Sequence, residues 1–141
     1  MVVTRVLTTT SDDVTRIIED MSTIAIATTL TSAESGLVFT IPAAATGAAI
    51  TLPAVAKGLK YKFVVGGAFA TTDWTIVAAT NVIYGGAIVN SVNIPAETEN
   101  TISLVASAET IGDWVEVVCD GTNWYATGVG TSAGAITFTK P

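Results

Sequence analysis

From Ser22 onward, hydrophobic and polar residues alternate with a period of two, in short runs broken by turn residues. That pattern predicts β-strands, because successive side chains on a strand point to opposite faces. The predicted strands are Thr23–Thr29, Gly36–Ile41, Ala48–Leu52, Leu59–Val65, Trp74–Ala78, Ile88–Ile94, Thr101–Ala106, Trp114–Cys119, Asn123–Thr127 and Ala135–Thr139. In the fourth run Leu59, Tyr61, Phe63 and Val65 share one face, with Lys60, Lys62 and Val64 on the other. The clearest stretch is Gly112–Gly128, GDWVEVVCDGTNWYATG. It reads as two strands joined at Asp120-Gly121, where glycine supplies the positive φ of a tight turn. Further turn signals stand at Thr46-Gly47, Lys57-Gly58, Gly66-Gly67, Gly85-Gly86, Gly112-Asp113 and Gly130 to Gly134. Pro42, Pro53 and Pro95 each follow a β-like run and are read as strand stops. The similar strings Phe39-Thr-Ile-Pro-Ala, Ile50-Thr-Leu-Pro-Ala and Val92-Asn-Ile-Pro-Ala are too irregularly spaced for a solenoid and read as a recurring way to end strands.

The N-terminus breaks this rhythm. Val2 to Thr9 reads as an extended, Thr-rich arm. Thr10 to Met21 carries Val14, Ile17, Ile18 and Met21 at i, i+3, i+4 and i+7, which predicts one short helix. Thr10 and Asp13 resemble a capping box, and Asp12 and Asp13 suit the positive end of a helix dipole. An extended strand is the alternative, since Thr and Val favour β structure. The expected fold is all-β: an antiparallel β-sandwich or barrel-like domain with an extended N-terminal arm and one short N-terminal helix. Its expected organisation is an arm and helix over residues 1–22 and a single β-domain over 23–141.

Composition narrows the function. The 141 residues are 50% hydrophobic and only 13% charged, against the ~25% charged residues of average globular domains. A surface of Thr, Ser, Asn and Ala is weakly protected against association, which suits a component of an assembly. The net charge of −6 and the six basic residues argue against nucleic acid, which demands clustered cations, and against anionic membranes. No apolar run approaches the ~20 residues of a membrane-spanning helix. Met1-Val-Val-Thr-Arg lacks the pattern of a signal peptide, so synthesis in a cytoplasm is expected. The single cysteine, Cys119, cannot form an internal disulfide and reads as a buried small hydrophobe. The chain has no histidine, which removes the commonest general base and most zinc sites together. Asp12 with Asp13, and Glu97 with Glu99, read as solvated charges, and nothing selects a pair of glycosidase acids. No enzyme activity, cofactor, metal or small-molecule substrate is therefore expected. Trp74, Tyr84, Trp114, Trp124 and Tyr125 read chiefly as core or subunit packing. The alternative is a sugar-stacking platform beside Asn81, Asn123 and Asp120.

Four strings in series carry a family resemblance: Ala49-Ile-Thr-Leu-Pro-Ala, Gly58-Leu-Lys-Tyr-Lys-Phe-Val-Val, Trp74-Thr-Ile-Val-Ala, and the Gly112–Gly128 stretch with its DGTNWY. Together, from roughly Ala48 to Gly128, they resemble a β-module of tailed-phage virion proteins, found in tail fibres and capsid decoration proteins. Cys119 stands where that pattern has Ser, and Trp114 is bulkier than its usual residue; neither is given a functional part. The resemblance implies a structural virion protein. A short chain starting at Met1, with only an arm and a helix ahead of the module, suits a head decoration (cement) protein more than a fibre. Such a protein would sit on the capsid outer surface after assembly in the host cytoplasm. Its partners would be the major capsid protein and itself, as a homotrimer at local three-fold sites, and it would stabilise the expanded shell. Val2, Val3, Thr4, Arg5, Val6 and Leu7 are the expected capsid-binding residues, adding a strand to a capsid-protein edge. The alternative is a tail-fibre or receptor-binding module that contacts host surface glycan.

Overall fold

The computed structural model describes residues 6–9, 15–18, 21–44 and 46–140. The fold is all-β: two mixed sheets packed face to face as a sandwich, with a separate two-stranded sheet before them. That small sheet pairs β1 (Val6–Thr9) antiparallel with β2 (Thr15–Ile18), Val6 opposite Ile18 and Thr9 opposite Thr15. It corrects the helix expected over Thr10–Met21. Residues 15–18 are strand, Met21 opens another strand, and the intervening residues lie outside those described. The reason lies in the residues: Thr15, Ile17 and Ile18 are β-branched and lose side-chain freedom in a helix, so the extended alternative wins.

The chain then shuttles between the two large sheets. β3 (Met21–Thr23), β5 (Val38–Ile41) and β7 (Lys60–Val65) fall in one sheet, and β4 (Thr28–Thr29), β6 (Ala49–Thr51) and β8 (Trp74–Val77) in the other. A chain that changes sheet at every strand returns to each sheet running the same way. Hence β3 pairs with β5, β5 with β7, β4 with β6 and β6 with β8, all in parallel. The expected antiparallel sandwich is corrected to a mixed one. The later strands are β9 (Ile83–Val89), β10 (Val92–Glu99), β11 (Thr101–Leu104), β12 (Trp114–Cys119), β13 (Trp124–Gly130) and β14 (Ile136–Thr139). They form antiparallel neighbours throughout, except that β13 runs parallel to β9. The seven-stranded sheet has the order β10-β9-β13-β12-β7-β5-β3, and the five-stranded sheet β14-β11-β8-β6-β4. Strand β3 already belongs to the sandwich, so the sheet begins two residues before the boundary read at 22/23.

The core lies between the two inner faces. Phe39, Ile41, Tyr61, Phe63, Val115, Val117 and Trp124 from the larger sheet meet Ile50, Trp74, Ile76, Ile102, Leu104 and Ile136 from the smaller. The Phe39 and Phe63 rings stack 5.6 Å apart, and Tyr61 lies 5.9 Å from Trp124. Each such side chain contributes about 1.5–3 kcal/mol through burial, so the alternating pattern supplies the main driving force. The face assignment of Leu59, Tyr61, Phe63 and Val65 holds: all four are buried, whereas Lys60 is exposed. Cys119 is buried and free.

Two turn readings are corrected. Gly85-Gly86 lies inside β9, and the reversal comes at Asn90 and Ser91, both with positive φ (48° and 64°). Positive φ at both central residues is the geometry whose twist suits a two-residue hairpin. The run read as one strand over Ile88–Ile94 is therefore the tip of the β9–β10 hairpin. Pro95 does not stop a strand either. It sits mid-way along β10, an edge strand, where its missing N–H is tolerated. Pro42 and Pro53, by contrast, follow the ends of β5 and β6 as expected.

Candidate interaction surfaces

The outer face of the seven-stranded sheet is set by strand register. Three rows cross β10, β9, β13, β12 and β7: Glu97, Tyr84, Tyr125, Val118 and Lys60; then Pro95, Gly86, Thr127, Glu116 and Lys62; then Asn93, Ile88, Val129, Trp114 and Val64. The middle row is low where Gly86 and Thr127 stand between larger neighbours. The result is an open trough of about 440 Å³, with the main chain of Gly85 and Gly86 exposed in its floor and Ile88, Val129 and Trp114 among its lining. Gly86 is not replaceable by a larger residue in this backbone, since a Cβ there would lie 2.5 Å from the carbonyl oxygen of Ile94.

Both lysines beside the trough have partners. Lys60 Nζ lies 3.3 Å from a Glu116 carboxylate oxygen, and Lys62 Nζ sits 4.3 Å from the Trp114 ring centroid in a cation–π contact. In the first row Tyr84 and Tyr125 pair with ring centroids 6.5 Å apart. Tyr125 donates its hydroxyl to Asp120 Oδ2 at 2.9 Å, while Asp120 Oδ1 accepts the backbone N–H groups of Thr122 and Asn123. These bonds, chiefly the two from the main chain, hold the Asp120 carboxyl below its ordinary pKa, and the same carboxylate pushes the Tyr125 phenol up. Asp120-Gly121 thus forms the turn read from the sequence, with Gly121 at φ 104°. The turn loop is the four residues Asp120 to Asn123.

The opposite outer face, on the five-stranded sheet, has another character. Its rows are Thr139, Thr101, Val77, Thr51 and Thr29, and Thr137, Ser103, Thr75 and Ala49. None of these side chains carries a charge, and six of the nine are threonine.

The aromatic residues singled out in the sequence therefore separate. Trp74 and Trp124 are fully buried in the core, and Asn81 belongs to the loop before β9. Trp114, Tyr84 and Tyr125 share one outer face with the Asp120–Asn123 loop. The trough itself went unseen in the sequence, because Gly85-Gly86 looks like a turn; the β-branched residues on both sides of the pair were the available signal. Of the residues expected to bind capsid, Val6 and Leu7 lie in β1, opposite Ile18 and Ile17. Val2, Val3, Thr4 and Arg5 lie outside the described residues, as do Asp12 and Asp13. Among the described residues, no group of three or more Cys, Asp or Glu side chains is placed to hold a metal. No family model, curated protein or solved structure matches the chain.

Proposed function

We propose that this is a structural virion protein that decorates the phage head, bound to the major capsid protein and associated with copies of itself as a trimer. The observation that carries the reading is the β1–β2 hairpin. It precedes the sandwich in the chain and shares neither of its sheets. A two-stranded hairpin is marginal by itself in water and gains stability by adding to another sheet. Val6 and Leu7 contribute to that hairpin, which is the element proposed to add to a capsid-protein edge. The uncharged threonine face supports the self-association half of the proposal. Chains of net charge −6 approach each other most favourably where no charge needs to be desolvated. Many modest contacts repeated by symmetry then give high avidity on a shell.

The test is immunogold labelling of virions, followed by binding of the purified protein to undecorated heads. Label on heads, with binding lost when residues 1–20 are deleted from a protein that stays folded, is the expected result. Label on tails, or full decoration by the truncated protein, overturns the proposal.

A further inference from the structure

We infer that the trough on the seven-stranded sheet is a binding site for a neutral oligosaccharide. Its sugar rings would lie over the Gly85–Gly86 main chain, between the Tyr84–Tyr125 pair and Trp114. This inference does not depend on where the protein sits in a virion.

Size, the make-up of the lining and charge each point this way. A volume of about 440 Å³ falls in the range of small-ligand sites, roughly 300–1,000 Å³. The trough is lined by ten residues from β9, β10, β12 and β13, well short of the roughly 20–30 residues that each side of a stable protein interface contributes. An extended peptide has no way to add as a strand here, because β9 and β13 are both hydrogen-bonded on their two sides. A sugar ring presents C–H faces and equatorial hydroxyls together. The trough offers a matching set: Ile88, Val129 and Trp114 for the apolar faces, Thr127 and Asn93 for the hydroxyls. The ligand should be neutral. Glu97, Glu116 and Asp120 surround the site, while the nearby cations, Lys60 and Lys62, are already engaged by Glu116 and Trp114.

The experiment is a printed array of neutral and sialylated oligosaccharides probed with the full chain. Calorimetry with the best neutral oligosaccharide follows, on the wild type and three variants. Thr127→Trp fills the trough from an exposed position, Trp114→Ala removes a wall, and Ala33→Trp places the same bulk on the exposed turn before β5, outside the rows of either outer face, as a control. Near-ultraviolet circular dichroism checks that each variant folds. The expected result is binding to neutral glycans, weakened about tenfold or more by Thr127→Trp and by Trp114→Ala, and unchanged by Ala33→Trp. If Trp114→Ala does not fold, Thr127→Trp decides. Absence of any neutral hit, a preference for sialylated glycans, or wild-type affinity in Thr127→Trp overturns the inference. So does a change of oligomeric state in Thr127→Trp, which would make this face an interface between copies.

Discussion

Asp113 should be among the most sensitive polar positions in the domain. It is 2% exposed, at the entry to β12. Its Oδ1 accepts the backbone N–H and the hydroxyl of Thr131, each at 2.9 Å, and its Oδ2 accepts the backbone N–H of Thr110 at 2.9 Å. One carboxylate thus ties the loop before β12 to the turn between β13 and β14. Hydrogen bonds to a charged group contribute roughly 1.5–3 kcal/mol each, so three could suggest a large loss in Asp113→Ala. Two effects reduce it. Thr131 is exposed and can turn its donors to water, and deleting the carboxylate also removes the penalty of burying a charge. A net loss of about 3 kcal/mol is expected. Asp113→Asn keeps an acceptor for Thr131 but turns an amide N–H₂ toward the Thr110 N–H, donor against donor, and should lose about 1–2 kcal/mol. Urea unfolding followed by tryptophan fluorescence measures both, with unchanged slope as the check that the same transition is observed. A loss below about 0.5 kcal/mol in Asp113→Ala, or Asn no better than Ala, would refute the clamp.

The core offers a pH test. Tyr61 donates to the carbonyl of Thr31 at 2.8 Å, and its phenol is pushed up to about 12, first by burial and then by Glu34 and Cys119. A folded pKa above the unfolded value near 10 stabilises the fold fully below pH 10, and that contribution is lost as pH rises toward 12. The urea midpoint should fall over this window in the wild type more steeply than in Tyr61→Phe; parallel curves would contradict the assignment. A glycine series tests the floor of the trough. Gly85 has φ 110° and an added Cβ would meet the Ala126 carbonyl at 2.2 Å, whereas Gly58, at φ 87°, has nothing within 4 Å. Gly58→Ala should lose about 1 kcal/mol from backbone conformation alone, and Gly85→Ala clearly more, because β9 must part from β13. Equal losses in thermal unfolding would mean that the close approach carries no weight.

Alternation made the strands with one buried face legible. Trp114–Cys119 appears with the bounds read from its residues, and the faces of Lys60–Val65 follow the pattern residue by residue. Direction was not legible, because alternation specifies which face is buried and says nothing of which sheet a strand enters. The switch of sheet at every step from β3 to β8 makes their pairing parallel, and no local signal encodes that switch. The N-terminal misreading has a different origin. Ile17 and Ile18 lie beside Val14 and Met21 at helical spacing, yet adjacent β-branched residues serve equally well on the two faces of a hairpin strand. With so few positions, the period is ambiguous and side-chain stiffness decides.

The trough was hidden for a related reason. A Gly-Gly pair supports a tight turn and a close main-chain approach equally, and the choice depends on what lies across from it. Here Ala126 and Ile94 present carbonyl oxygens where a Cβ would stand, so Gly85 and Gly86 allow β9 to lie between β10 and β13. The same missing side chains lower the middle row of the outer face. Packing between strands and the shape of the surface therefore share one cause, and the hairpin has to reverse elsewhere, at Asn90 and Ser91. Trp114, which looked only bulky in the sequence, acquires its place from register. It stands opposite Val129 and Val64, under Lys62 and beside the lowered row. A smaller residue there would keep the strand and lose the wall, which is why Trp114→Ala tests the surface more directly than it tests the fold.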